Sequence, residues 1–362
     1  MAPYTIMSME DVVVGLPTST EEPTQKAYTN HHNHSSETEK VGTDPNFKRV
    51  IVWKNAIGFL MIHLVALYGL FLLLTFQVKF LTFLWAFFGI VMSGEGITMG
   101  AHRYYSHRTF KASFGLRLIL MFCQTMAGQN CIYVWARDHR VHHKYSDTDA
   151  DPHNANRGFF FSHMGWLMSK KHPLVKEKGK TIDMSDLEAD PLVRFQRDWY
   201  FALYISIAIV FPVSVPIYFW KETFWNSLLV CYFLRNVMVL NQTWTVNSLA
   251  HIWGNKPFDK NILPSENPLV SFLTAGEGWH NYHHTFPWDY RTSEYGTTFT
   301  GTTMFIELAK SVGMAYDLKT APNSMIIQRS VRTGDGTPIH TTSQTNGIIE
   351  GKNQANGHTK LR

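Results

Sequence analysis

Residues 55–99 read NAIGFLMIHLVALYGLFLLLTFQVKFLTFLWAFFGIVMSGEGITM. The two apolar runs inside this stretch, Asn55 to Phe76 and Phe80 to Met99, are each close to the ~20 residues that a ~30 Å hydrocarbon layer requires. Only Gln77, Val78 and Lys79 part them, so the spacing predicts a tight helical hairpin crossing a membrane. A second pair repeats the plan: Trp199 to Trp220 and Trp225 to Thr243, with Lys221 and Glu222 in the turn. Trp53, Trp85, Trp199, Tyr200, Tyr218, Trp220 and Trp225 crowd the runs, as amphipathic rings do at a lipid interface. A fifth apolar stretch, Leu116 to Val134, carries Gln124, Gln129 and Asn130. Unpaired amides are costly in hydrocarbon, so it is expected to be an amphipathic helix lying against the membrane surface.

Around these runs the chain is polar. It has 362 residues, 45% hydrophobic and 17% charged, and a weak net charge of +5 that argues against a nucleic-acid binder. Its three cysteines, Cys123, Cys131 and Cys231, are too few and too scattered for a bridged secreted scaffold or a cysteine zinc site. No charged-then-apolar leader opens the sequence, so the first hydrophobic run is expected to direct insertion. Of the 33 Lys and Arg residues, 30 fall before the first run, between the pairs or after the last run. Only Lys79 and Lys221 sit in the short turns, which predicts that both termini and the long middle segment face the cytosol. The expected organisation is a disordered arm (1–49), a first hairpin (50–99), a cytosolic segment (100–198), a second hairpin (199–246), a second cytosolic segment (247–332) and a disordered tail (333–362). His31, His32 and His34 in the arm read as solvated.

Clustered histidines supply the chemistry. His102 and His107 follow the second run. His139, His142 and His143 stand in Asp138-His-Arg-Val-His-His-Lys, and His280, His283 and His284 in Trp279-His-Asn-Tyr-His-His-Thr. On a helix, positions i, i+3 and i+4 share a face, so each triplet aims its imidazoles at one point. Neutral imidazole ligates iron or zinc, and eight such groups exceed the needs of one ion, which implies two metals. His251 is a ninth candidate, with Asn247 one helical turn before it. With two spans between the second and third clusters and none between the first and second, all of them reach the same face. His63, inside the first run, reads as a packing histidine, and His153, His163 and His172 lack partners at helical spacing. There is no paired Glu-x-x-His pattern, so the ligand set is almost wholly neutral and leaves the metals strongly positive, suited to activating dioxygen. An ion conduit would place ligands near mid-membrane, and an intramembrane zinc protease requires His-Glu-x-x-His; neither pattern is met. A histidine-rich membrane hydroxylase is the nearest rival enzyme.

Over residues 48–335 the sequence resembles the membrane-bound acyl-CoA desaturases of the stearoyl-CoA type, and within them the insect and moth members. The motifs are Trp135-Ala-Arg-Asp-His-Arg-Val-His-His-Lys, Asp151-Pro-His-Asn, Arg157-Gly-Phe-Phe-Phe-Ser-His-Met-Gly-Trp, Asn247-Ser-Leu-Ala-His, Gly276-Glu-Gly-Trp-His-Asn-Tyr-His-His-Thr-Phe-Pro-Trp-Asp-Tyr and Arg332-Thr-Gly-Asp-Gly. The resemblance implies an all-α integral membrane protein: four transmembrane helices in two hairpins, capped by a cytosolic helical domain with a histidine-rich di-iron site. It implies two Fe2+ ions held by His102, His107, His139, His142, His143, His251, His280, His283 and His284, with Asn247 acting through water.

The implied reaction places a double bond in a saturated long-chain acyl-CoA using O2. Electrons come from NADH through cytochrome b5 and its reductase, in the endoplasmic reticulum membrane. Asn55, Asn130, Arg137, Lys170 and Lys171 match the family's CoA contacts, and Gln129, Trp135 and Trp244 its acyl tunnel. The chain departs from the family at Tyr104-Tyr105, where Leu-Trp is usual, and at Trp279, where Phe is common. These departures, with Leu263-Pro-Ser-Glu before the third cluster, point to a reshaped pocket. They favour a sex-pheromone precursor enzyme acting at Δ11, the alternatives being a Δ9 housekeeping enzyme or a bifunctional desaturase/conjugase.

Overall fold

The computed structural model describes residues 41–340. Most of the expected arm, including His31 to His34, and residues 341–362 of the expected tail lie outside the described residues.

Two long helices form the first hairpin: α1 (Trp53–Leu74) and α2 (Phe80–Glu95). Without a break α2 continues as a π-helix, Gly96–Ser106. This change of pitch explains the odd spacing of the first histidine pair. Five residues apart, His102 and His107 would diverge on an α-helix, but the i to i+5 ladder of a π-helix puts them on one side, and their ring centroids are 5.0 Å apart. Gly96 opens the π segment because α3 (Phe114–Ala127) crosses there. A Cβ at residue 96 would stand 2.3 Å from the backbone of Cys123 and Gln124.

The segment expected as one surface helix from Leu116 to Val134 is two helices. α3 ends at Gly128 in the left-handed region (φ 69°), Asn130 also has positive φ, and α4 (Ile132–Tyr145) starts afresh. Gln124, placed by this break in the interior, donates to the Asn130 carbonyl at 2.7 Å and pairs with Gln196. Hydrogen bonding inside the protein meets the cost that argued for a surface position.

The second hairpin begins with α5 (Tyr200–Trp220), bent at a π segment and at Pro212 and Pro216. Its return stroke, α6, runs Phe224–Ser227, through a π segment, into Arg235–Ile252. Among the described residues, three helices are long and apolar enough to cross a membrane: Trp53–Leu74, Phe80–Ser106 and Tyr200–Trp220. The fourth expected span falls in α6, which is less apolar because it carries Arg235, Asn236, Asn241 and Gln242. Arg235 faces inward, 1% exposed, and its guanidinium donates to Ser93 Oγ and to the carbonyls of Cys231, Met126 and Ala208. Leu60, Leu67 and Leu74 of α1, with Phe80, Tyr218, Phe219 and Trp225, stand more than half exposed, a larger apolar surface than water tolerates on a soluble protein.

The two hairpin turns meet. Glu222 accepts from the Lys79 amide (2.9 Å) and the Thr82 hydroxyl (2.7 Å), and Lys79 Nζ donates to the Trp220 and Lys221 carbonyls. Both turns therefore lie at one end of the bundle. The histidine-bearing segments follow the opposite ends of α2 and α6, together with α7 (His280–Thr285), α8 (Gly301–Ser311) and α9 (Asn323–Thr333). The stretches flanking this layer are packed onto it. Thr43 and Asp44 hydrogen-bond to Asp147 and Asp149, Ile339 is buried, and the His340 amide donates to Glu294.

Candidate metal centre

Four separate stretches bring the nine histidines together. The π-helix supplies His102 and, as its C-cap, His107; α4 supplies His139, His142 and His143, the end of α6 supplies His251, and α7 supplies His280, His283 and His284. They sort into two groups, each with its candidate ligand atoms within 4.8 Å of one another: His102, His107, His139, His143 and His283; and His142, His251, His280 and His284. In the first group Nε2 separations are 2.9 Å (His102 to His283), 2.8 Å (His107 to His139) and 2.9 Å (His143 to His283). In the second they are 3.2 Å (His142 to His284), 3.0 Å (His251 to His280) and 3.1 Å (His280 to His284).

The donor chemistry fits a cation in each group. A neutral imidazole has one N–H. His102 Nδ1 lies 2.9 Å from Glu277, His142 Nδ1 2.8 Å from Asp151, and His251 Nδ1 3.1 Å from Asp147. Each of these Nδ1–H groups donates to its carboxylate, which leaves the ring's lone pair on Nε2, turned inward. These lone pairs, one in the five-histidine group and two in the four-histidine group, are placed to ligate a cation. This carboxylate–imidazole arrangement is the usual way of fixing a ligand's tautomer and raising its basicity. Burial, reinforced by neighbouring imidazoles, holds His107, His139, His143, His280, His283 and His284 well below the usual histidine range. They are neutral at pH 7, the ligating form. For His142 burial acts downward too, but Asp151 and Asp147 overcome it and stabilise a positive charge there.

The sequence reading missed the carboxylates. Asp147 and Asp151 follow the second histidine cluster, and Glu277 precedes the third inside a motif already noted; no periodicity marks any of them. His153, set aside for want of a partner, packs its ring 4.3 Å from that of His142 and shares Asp151, and burial brings it down to about 3. Arg103, fully buried, pairs with Glu277 at 2.8 Å and donates to the Tyr290 carbonyl. His63 and His163 both contact Asn241, and His163 also contacts Ser248.

A cavity of about 400 Å³ descends from this layer between α2 and α6. Its wall includes His102, His139, His142, His280, Asn247 and Trp135 at one end and Phe87, Ile90, Val91 and Val239 further along. Gln129 sits behind that wall, donating to Thr243 Oγ1 at 2.9 Å and accepting from Trp135 at 3.4 Å. Trp244 lies elsewhere, packed with Phe59, Ile62, Ala66 and Leu240. Tyr105 packs with Met121 and Ile132, Tyr104 packs against that cluster and a second one around Phe110 and Leu120, and neither tyrosine lines the cavity. Trp279 packs on Tyr295. A separate crevice of about 340 Å³ between α2, α3 and α5 is lined, among the described residues, by no histidine.

Among the expected CoA contacts, Arg137 and Lys171 both pair with Asp138, at 3.0 and 2.6 Å. Burial raises the Asp138 carboxyl, but these two cations win and hold it below its ordinary value. Lys170 is exposed, Asn55 donates to the Leu167 carbonyl, and the Asn130 carbonyl accepts from Gln124.

Residues 79–299 match the family model described as fatty acid desaturase. The chain is 54% identical over 291 residues to an acyl-CoA Delta-9 desaturase of Acheta domesticus, covering 80% of this chain and 81% of that protein. It is 54% identical over 292 residues to the stearoyl-CoA desaturase of Homo sapiens, covering 81% of each. To an acyl-CoA Delta(11) desaturase of Trichoplusia ni it is 52% identical over 286 residues, covering 79% of this chain and 81% of the relative. With the histidine groups and the membrane helices, these matches mean that the chain belongs to the fatty acid desaturase family.

Proposed function

We propose that this protein is a membrane-embedded, oxygen-dependent acyl-CoA desaturase. The observation that carries the reading is the convergence of nine imidazoles, from four stretches of chain, at the mouth of a cavity running down between apolar helices. In this reading the five-histidine and four-histidine groups each hold one Fe2+, with Asn247 completing the second through water. Bound iron supplies the oxidising chemistry: two hydrogens leave adjacent methylenes, and O2, with two electrons and two protons, becomes two waters.

The chain's own residues then bind and position. The cavity wall holds the acyl chain extended past Trp135, so that one pair of methylenes stands within ~3–3.5 Å of the reacting centre and fixes the product. Arg137, Lys170 and Lys171, with Asn55 and Asn130, hold the CoA head group, and Asp138 keeps the first and last of these cations poised. Gln129 orients Trp135, and Trp244, away from the cavity, packs α6 against α1. Helix α6 is the fourth span, its polar side chains turned into the bundle, and both termini face the cytosol of the endoplasmic reticulum, where cytochrome b5 and its reductase deliver electrons. The finer reading is a pheromone-precursor enzyme acting at Δ11, with Δ9 as the alternative. Relatives named for Δ9, Δ11 and Δ12 match at 54, 52 and 53% identity.

Expression in desaturase-deficient yeast tests the reading. The wild-type chain is expected to convert saturated acids of fourteen to eighteen carbons to monoenes, whose double-bond location decides between Δ11 and Δ9. His142→Ala is expected to reach the membrane and yield no unsaturated acid. Normal product from that variant would remove the metal reading, and hydroxy acids in place of monoenes would make the protein a hydroxylase.

A further inference from the structure

The cavity wall is not uniformly apolar. Between the histidine end and Phe87, Ile90 and Val91, α2 places Glu95 on it, 7% exposed. Glu95 accepts from Thr302 Oγ1 at 3.1 Å and Thr98 Oγ1 at 3.4 Å, and the two hydroxyls are 2.9 Å apart. The nearby Arg103 is committed to Glu277, the Tyr290 carbonyl and Thr303. Among the described residues, no cation pairs with Glu95. Two threonine hydroxyls leave part of the carboxyl's hydrogen-bonding capacity unmet, so water in the cavity is its natural further partner. Seven residues separate Glu95 from His102, on the order of 10 Å along the helix.

We propose that Glu95 is a specificity-determining residue, a polar step in the acyl cavity that limits how far a chain extends beyond the metals. This rests on the reading of the cavity as the acyl site. A chain that stops short leaves Glu95 its water. A longer chain strips that water and presents methylenes to a carboxyl, a desolvation that the few methylenes buried beyond it do not offset. The substrates favoured are therefore saturated chains that end before Glu95, at the short end of the long-chain range.

The test compares variants in desaturase-deficient yeast fed equal mixtures of fourteen-, sixteen- and eighteen-carbon saturated acids. The readout is the ratio of eighteen- to fourteen-carbon monoene within each culture, with membrane-inserted protein measured alongside. Glu95→Leu is expected to raise that ratio on the order of tenfold, the scale on which an apolar pocket tells apart chains differing by methylenes. Glu95→Gln, still polar, is expected to keep the wild-type ratio; should the Leu variant fail to accumulate, Glu95→Met carries the same test. A wild-type ratio in the Leu or Met variant overturns the proposal. Val246→Phe, which fills the cavity beside Asn247 before a chain reaches Glu95, separates the two readings. If it lowers monoene formation while Glu95→Leu leaves the ratio unchanged, the selector role alone fails. If neither variant changes any product, the cavity is not the acyl site and the reading beneath fails with it.

Discussion

The two histidine groups differ in what stands behind them. In the five-histidine group the carboxylate on His102 is Glu277, which also pairs with the fully buried Arg103, so anion and cation nearly cancel. In the four-histidine group Asp151 backs His142 and Asp147 backs His251, and no Arg or Lys pairs with either carboxylate among the described residues. The group with fewer imidazoles thus has the more negative surroundings. In the proposed di-iron reading, charge behind the ligands offsets a missing ligand, and the four-histidine position is the one whose metal affinity would depend most on its carboxylates. The cavity touches both groups, through His102 and His139 and through His142 and His280.

Breaking the contrast at Glu277 has the largest expected effect on the fold. Glu277→Gln leaves Arg103 buried without its anion, a loss of about 3–5 kcal/mol, measurable as a fall in thermal unfolding temperature in detergent. Its pH dependence has a definite sign. Burial raises the Glu277 carboxyl, but Arg103 and His102 overrule it and bring it from 4.5 to about 2. A depressed carboxylate stabilises fully above its unfolded value and loses that contribution as pH falls through its folded one. The difference between wild type and variant should therefore be constant above about pH 5 and shrink from there towards pH 2. A difference that grows on acidification would contradict the assignment.

A smaller effect sharpens the same comparison from the other side. Asp151→Asn keeps the shape but weakens His142 as a donor, and is expected to cost the four-histidine group ~10–100-fold in metal affinity. Timed chelation followed by metal analysis reads this directly. One ion should leave early and the other at the wild-type rate. Equal acceleration for both ions would show that the groups are not independently supported.

Much of this arrangement was legible in the sequence, because it rests on signals of fixed period: run lengths matched to a bilayer, and His-x-x-His-His spacing matched to a helix. What was not legible has no period. The break at Gly128 and Asn130 depends on left-handed backbone conformations, and the burial of Gln124 depends on a distant partner, Gln196. The reduced apolarity of α6 comes from side chains such as Arg235, whose partners lie on other helices. Asp147, Asp151 and Glu277 act through atoms that meet only when the chain is folded. The pitch change that unites His102 and His107 follows a close helix crossing at Gly96, which the spacing alone does not announce.

The most direct test is a metal-resolved structure of the protein produced with iron, using anomalous scattering at the iron edge. Two separate peaks are expected, one surrounded by His102, His107, His139, His143 and His283, the other by His142, His251, His280 and His284 with Asn247 alongside. A single peak shared by both groups, or iron bound elsewhere while these imidazoles stay empty, would contradict the account.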